Sequence, residues 1–168
     1  LVQRVVLLSP TGVNTLAEPP AASQTKIFES AYNNELWGLL FYQVVLSDPS
    51  LRYFLGRAYY NKSLVTEALL DEYRLARGHL GQRYVSFAFI GGQLYRRLTD
   101  VAGAVKVPVL AIFGKQAESP SPSISPDTAD DFRAVRSDWS YAVIDGAGLS
   151  VQREAPAEVA ARILAFAK

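Results

Sequence analysis

The run VPVLAIFG at residues 107–114 decides how the rest of the sequence is interpreted. It is short, apolar throughout and ended by Gly114, a pattern typical of a β-strand that is buried on both faces. Such strands lie in the middle of parallel sheets that helices cover on each side. The run therefore predicts an α/β protein, and the segments on either side of it should supply further strands and helices.

Helix and strand patterns alternate on the C-terminal side of this run. After the Ser/Pro-rich loop ESPSPSISP (118–126), residues 127–138 predict a helix and SYAVID (140–145) predicts a strand. A Gly-containing loop then leads to Pro156, where an amphipathic terminal helix begins. Strand, helix, strand and helix at this spacing predict parallel strands joined by right-handed crossovers.

The N-terminal side supplies one more strand and a long helical stretch. RVVLL (4–8) predicts a strand that is stopped by the turn SPTG, and the polar, Pro-rich residues 12–25 predict a loop. From about 26 to 98, apolar residues recur at spacings of three and four, which predicts helices, one of them ending near Gly78 or Gly81. Only three strands are visible, so the first should expose an apolar edge that needs a partner.

Composition excludes several classes of function. The 168 residues fit one domain, and 49% hydrophobic and 20% charged residues are ordinary for a globular protein. The net charge of +1 gives no bulk electrostatic argument for nucleic acid. The absence of cysteine excludes disulfides, thiol catalysis and thiolate metal sites. With a single histidine, no spaced carboxylate set and no apolar run of about 20 residues, no metal, cofactor or membrane span is predicted.

The start of the sequence leads to a further expectation. It begins at Leu1, contains no methionine, and opens directly on residues that predict a buried strand. The charged region and cleavage pattern of a signal peptide are not found there. We therefore expect these residues to be the C-terminal part of a longer protein, with the cytoplasm as the favoured location.

The order of elements resembles the second half of an α/β hydrolase. RVVLLSPTG is similar to the strand after the nucleophile helix of that family, and VKVPVLAIFGKQAESPSP to the strand and loop that carry its acid. AVIDGAGLSVQREAPAEVAARILAFA is similar to the last strand, the histidine loop and the terminal helix. The resemblance implies a partial α/β-hydrolase fold with a core strand and turn at 1–12, a helical cap insertion at 13–104, and the remaining core strands and helices at 105–168.

The acid and histidine positions that the resemblance implies are both substituted. The family's acid follows the strand glycine by three residues, where this sequence has Ala117. Glu118 stands next to it, one residue out of register, and is the implied acid. The pattern Gly-x-Gly-His-x-x-Gln-x-Glu-x-Pro places Leu149 at the histidine position, and an alignment shifted to four residues after the second glycine places Gln152 there. Neither side chain accepts a proton near neutral pH, so general-base catalysis fails at both.

Other residues remain as alternatives for the catalytic roles. Asp127 and Asp130 are more remote candidates for the acid. His79, the single histidine, is either a displaced base or a helix-end residue near a favourable dipole. The nucleophile of α/β hydrolases lies in Gly-x-Ser-x-Gly, and no such pentapeptide occurs in residues 1–168.

Taken together, these features predict a catalytically degenerate α/β-hydrolase-fold protein, a pseudoenzyme that binds a small hydrophobic ligand or a protein partner in the cleft between cap and sheet. One alternative is a fragment of an active serine-type hydrolase of small ester-like substrates, with Glu118 or Asp127 as acid and a base from elsewhere. A second alternative is a structural subunit of a larger assembly. The expected partner is the missing N-terminal half of the fold, or another chain that completes the sheet.

Overall fold

A computed structural model describes residues 2–14, 17, 21–79, 81–91, 93, 95, 97–118 and 126–168. Three strands form one parallel sheet in the order β1-β2-β3. The strands are β1 (Val5–Leu8), β2 (Val109–Gly114) and β3 (Ser140–Ile144). The predicted α/β class and parallel strand arrangement are confirmed.

Strand β2 is central because it pairs with both β1 and β3. Apolar side chains cover each of its faces, as its sequence predicts. Every residue from Val109 to Gly114 is buried. Ala111 and Phe113 pack in one cluster with Phe132 and Trp139, whereas Ile112 points to the other face. The second cluster holds these further buried residues: Leu110, Ala142, Ile144, Ala147, Val151 and Val159. A strand enclosed in this way has no solvent face, so an uninterrupted apolar run is what its environment selects.

In the described part of the chain, β2 is followed by α7 (Ala129–Val135), and β3 is followed by α8 (Val151–Glu154) and α9 (Pro156–Ala167). Helix α7 begins at a capping box, in which the Thr128 side chain accepts from the Asp131 N–H and the Asp131 carboxylate accepts from the Thr128 N–H. Helix α9 places Val159 in the cluster on the second face of the sheet. The crossover from β2 to β3 therefore runs through α7, as the alternation of patterns predicted.

Among the described residues between β1 and β2 are six α-helices and one 3-10 helix, and we call this segment the helical insertion. It contains α1 (Ala22–Asn33), α2 (Glu35–Val45), α3 (Asp48–Ala58), a 3-10 helix (Lys62–Leu64), α4 (Glu67–Arg77), α5 (Gln82–Ile90) and α6 (Thr99–Ala102). Leucines of α3 and α4 form one core together with Tyr59. Aromatic side chains of α1, α2 and α5 form a second core around Phe87. Helix α4 ends before Gly78, one of the two predicted positions.

The structure corrects two sequence predictions. Helix α1 already begins at Ala22, inside the predicted loop 12–25, because the first turn of a helix can be polar while its apolar face begins only at Ile27 and Phe28. The loop predicted before Pro156 contains the short helix α8, which Val151 anchors in the core and which ends where Pro156 disfavours a preceding helical residue.

Some predictions fall on residues outside the described ranges. Residues 119–125 of the predicted Ser/Pro-rich loop and residues 92, 94 and 96 after α5 are among them. Among the described helices, none is long and apolar enough to cross a lipid bilayer.

Candidate functional site

The loops that follow β2 and β3 meet at the carboxyl edge of the sheet, where parallel sheets form their ligand sites. The Gln116 N–H donates to the carbonyl of Ala147 at 3.0 Å. The Gln116 side chain donates to Asp145 at 2.5 Å and accepts from the Gly146 N–H at 2.8 Å. One glutamine thus ties the loop after β2 to the loop after β3.

Asp145 is a fixed negative charge at this edge. The hydrogen bond from Gln116, followed by the nearby Lys115 ammonium, lowers the pKa of the Asp145 carboxyl. The Lys115 Nζ lies 3.5 Å from Asp145 Oδ1. Asp145 is therefore an ionised hydrogen-bond acceptor at neutral pH and has no proton to donate.

Gly114 lets the loop after β3 cross directly over the end of β2. A Cβ atom at this position would lie 2.1 Å from the Gly148 carbonyl oxygen and 2.4 Å from that of Ala147. Both contacts are with backbone, which cannot swing aside as a side chain could. The close approach of the two loops therefore requires glycine at the end of the strand.

The helical insertion also reaches this edge. The Leu149 N–H donates to the Ala58 carbonyl at 2.8 Å. The Glu154 carboxylate accepts from the Gly148 N–H at 2.7 Å and from the Asn61 N–H at 2.9 Å. The end of α3 and the residues after it thus sit against the loop that follows β3.

The two candidate histidine positions differ in their surroundings. Leu149 is half-buried in the loop beside Ala58, and its backbone N–H is already bonded there. Gln152 lies exposed on α8. A histidine at residue 149 would lie in the loop at the carboxyl edge, whereas a histidine at residue 152 would lie on α8, after that loop.

The carboxylate next to the family's acid position faces the insertion. Ala117 is half-buried, and Glu118 is exposed beside it. Glu118 Oε2 lies 3.8 Å from Arg57 Nη1 of α3, and its side chain is 57% exposed. Glu118 therefore forms a loose, solvated ion pair across the junction between insertion and sheet.

Asp127 is buried and contacts the backbone of the turn after β1. It is 4% exposed, the single buried charged residue among those described. Its Oδ2 accepts from the N–H groups of Gly12 (2.7 Å) and Val13 (3.2 Å), and its Oδ1 accepts from the N–H of Asn14 (2.6 Å). Asp127 thus anchors the turn after β1, a role that sequence reasoning missed because nothing local signals a contact between residues so far apart.

The remaining candidates lie apart from this edge. Asp130 is exposed on α7 and pairs with Arg133 one turn later. His79 is exposed just beyond the end of α4, where its N–H donates to the Ala76 carbonyl at 3.3 Å. Glu72 of α4 contacts Arg153, whereas His79 lies seven residues later in the chain, past the end of that helix.

Ser9 is a strained residue at the same edge that sequence reasoning did not identify. It follows β1 with a φ of 44°, in the left-handed region that non-glycine residues rarely adopt. Its Oγ is buried with no hydrogen-bond partner among the described residues. Its N–H donates to the Ile112 carbonyl at 2.8 Å, which continues the β1–β2 ladder by one residue.

Within the described residues, we also looked for concavities and for metal-ligating side chains away from the carboxyl edge. Two hollows of about 710 and 360 Å³ lie at the opposite, amino edge of the sheet, beside Pro108. Within the described ranges, no three His, Asp or Glu residues come together as metal ligands. The carboxyl edge is therefore the best-defined candidate site.

Comparisons with solved structures identify the fold. The Cif epoxide hydrolase from Acinetobacter nosocomialis superposes with a TM-score of 0.64 at 16% identity, covering 98% of this chain and 53% of its own. The epoxide hydrolase CorEH gives 0.66 at 19% identity, with 99% and 59% covered. MGS-M2, an α/β hydrolase from a Medee basin deep-sea metagenome library, gives 0.57 at 11% identity, with 98% and 55% covered. The chain carries part of the α/β-hydrolase fold.

The α/β-hydrolase fold predicted from the sequence is thus confirmed, and the extent of the match agrees with a C-terminal half. The chain spans just over half the length of these solved structures. No protein-family model matches the sequence, and no curated protein does either. The likeness lies in the fold, and the roles of individual residues rest on their own geometry.

Proposed function

We propose that these residues form the C-terminal part of a catalytically degenerate α/β-hydrolase-fold protein that binds a small hydrophobic ligand in the cleft between insertion and sheet. The observation that carries this proposal is Leu149. Leu149 is one of the two positions, with Gln152, at which the resemblance implies the family's histidine, and a leucine side chain has no lone pair to accept a proton. Gly146 to Pro156 contains no His, Cys or Lys that could replace it.

The chemistry of serine hydrolysis explains why this substitution matters. A serine hydroxyl is a poor nucleophile until an adjacent imidazole takes its proton, and a carboxylate keeps that imidazole oriented. Loss of one triad member typically lowers the rate by several orders of magnitude. With no base at residue 149, the protein can still bind a ligand in the cleft but does not hydrolyse it.

The acid candidates support the same proposal. Both carboxylate oxygens of Asp127 accept hydrogen bonds from the backbone N–H groups of residues 12–14. Glu118 faces Arg57 of the insertion. We propose that neither carboxylate, held in these contacts, orients a base at residue 149.

The partner we propose for this half-fold is a further set of strands beside β1. Among the described strands, β1 pairs with β2 alone, so its other edge carries unpaired backbone groups. The N-terminal half of the same fold, or another chain, would supply the missing strand. The solved structures in which this chain covers only 53–59% of the length support the first of these sources.

Two alternatives retain specific support. Solved structures of similar fold include an epoxide hydrolase and a thermophilic esterase, which favours an active hydrolase of small ester-like substrates with Glu118 as acid and a base from elsewhere. The exposed apolar face of α2, with Leu36, Leu40 and Val44 in one line, favours a structural subunit that docks on a larger assembly.

The deciding experiment uses the full natural chain that contains these residues. It is assayed with p-nitrophenyl butyrate, and its binding of the inert analogue 4-nitrophenyl butyl ether is measured by calorimetry. Saturable binding without turnover is the expected result. Turnover above a heat-denatured control would instead support the active hydrolase, whereas a second chain at fixed stoichiometry with no binding would support the structural subunit.

A variant then tests the role of residue 149 itself. In Leu149→His the backbone N–H remains available to the Ala58 carbonyl, so the loop should keep its position. If the full chain retains a nucleophile and an acid and lacks only the base at residue 149, this variant should gain measurable hydrolysis. Gln152→His, on the exposed face of α8, tests the alternative alignment in the same assay. Hydrolysis gained at residue 152 and not at residue 149 would contradict the assignment of Leu149.

A further inference from the structure

The helical insertion is fastened to the loop after β3 by a compact group of polar contacts. The Leu149 N–H donates to the Ala58 carbonyl at 2.8 Å. Arg153 and Glu72 pair at 2.7 Å across the same junction, with both side chains about half exposed. The third residue at this junction is Glu154, which is half-buried.

Glu154 differs from its neighbours because its two oxygens hold one backbone N–H from each side of the junction. Oε2 accepts from Gly148 of the loop at 2.7 Å, and Oε1 accepts from Asn61 of the insertion at 2.9 Å. Hydrogen bonds to an ionised carboxylate are roughly twice as strong as neutral ones. Exposed ion pairs such as Arg153 with Glu72 contribute little by comparison.

The junction around Glu154 is also closely packed. A Cβ atom at Gly148 would lie 2.6 Å from the Ala58 carbonyl oxygen and 2.9 Å from the Tyr60 backbone nitrogen. It would also lie 3.1 Å from Glu154 Oε2. The glycine is thus required by space, and the insertion cannot approach the loop this closely with any larger residue.

We propose that Glu154 is a latch that holds the insertion, at residues 58–61, against the loop at residues 147–149. The carboxylate bridges the two backbone segments with one hydrogen bond to each. By fixing residues 58–61 it sets how far the insertion stands from the carboxyl edge, and therefore how open that edge is. This inference goes beyond the proposed function, because the latch operates whether or not the cleft binds a ligand.

Hydrogen exchange measured by mass spectrometry on the full natural chain tests the latch. In Glu154→Ala, amides of residues 58–62 and 146–150 should exchange about tenfold faster or more, while those of β2 should not change. Glu154→Gln keeps one acceptor oxygen, so its exchange rates in these segments should lie between those of the wild type and those of Glu154→Ala. Glu158→Gln is the matched control, because Glu158 pairs only with Arg162 one turn along the same helix in the described contacts.

A second pair of variants opens the junction from the other side. Gly148→Ala should accelerate exchange in the same two segments, whereas Gly56→Ala, where a Cβ would meet nothing within 4 Å, should not. Unchanged exchange at both segments in Glu154→Ala overturns the latch. Equal acceleration in β2 overturns it too, since Glu154 would then support the whole fold and not the junction. If Glu154→Ala fails to fold, Glu154→Gln and Gly148→Ala decide between these outcomes.

Discussion

The backbone of residue 149 fixes the position of the residue, whereas its side chain determines its chemistry. The N–H of Leu149 is held by the Ala58 carbonyl at 2.8 Å, so the insertion positions this residue whatever its side chain is. The side chain decides only whether a proton can be accepted there. Asp127 presents the reverse case, since its side chain has the chemistry of a catalytic acid while its surroundings commit it to the turn after β1.

Asp127→Asn should destabilise the protein by about 1–3 kcal/mol, because one carboxylate oxygen becomes an NH₂ group that faces a backbone N–H and leaves it without an acceptor. Urea denaturation of the full natural chain measures the change. Asp130→Asn is the matched control on the neighbouring exposed surface and should have little effect. Equal midpoints for the two variants would contradict the anchoring role of Asp127.

Helices α3 and α4 are joined by a charge network centred on Arg74. Its guanidinium lies 2.5 Å from Asp48 at the start of α3 and 2.6 Å from Asp71 on its own helix. The hydrogen bond from Arg74 lowers the pKa of Asp48, and a hydrogen bond from Arg52 lowers that of Glu67. The network therefore connects two helices that also share a leucine core.

The pH dependence of this network follows from the direction of those shifts. Because the folded-state pKa of Asp48 lies below the ordinary aspartate value of about 3.9, its stabilisation is present above that pH and is lost as the pH falls through the folded value. Arg74→Ala should therefore lower the melting temperature at pH 7, and the difference from the wild type should shrink toward pH 3. Arg162→Ala, which breaks a pair within α9 alone, serves as control. A difference that stays constant with pH would contradict the argument.

Strand β2 should be the element most sensitive to truncation. Ile112 is fully buried, so Ile112→Ala should cost about 2–5 kcal/mol through lost transfer energy and a residual cavity. Val143 on β3 is 47% exposed, and Val143→Ala should cost far less. Denaturant midpoints of the two variants measure the contrast, and comparable losses would show that β2 is not the centre of the core.

The elements were predictable where one local pattern determines burial, and they were not where a distant contact does. The apolar run at 107–114 predicts β2 because burial on both faces leaves no polar position. The start of α1 at Ala22 and the short helix α8 were missed, since their residues are helical through packing further along the chain. At the site, the sequence placed Leu149 and Gln152 after β3 and Glu118 after β2 as candidates, but it did not predict the contact of Asp127 with a turn 115 residues away.

At the scale of the molecule, three strands and a helical insertion leave apolar surface without a described partner. The outer edge of β1 is unpaired among the described strands, and Leu36 and Val44 of α2 are about 70% exposed. Solved α/β hydrolases of similar fold use nearly as many residues again as this chain supplies. The exposed surface and the partial coverage both support the proposal that further strands pair with β1.

Residues 1–168 expressed alone should consequently be insoluble or molten, because an open edge of a parallel sheet and exposed apolar helix faces promote association over a single packed state. The measurements are near-UV circular dichroism, binding of anilinonaphthalene sulfonate and a thermal melt, with the full natural chain as control. The expected result is dye binding and a broad transition for the isolated residues, against a sharp transition for the control. A sharp, cooperative melt of a soluble monomer would show that three strands suffice, whereas a well-folded dimer would show that a second copy covers β1.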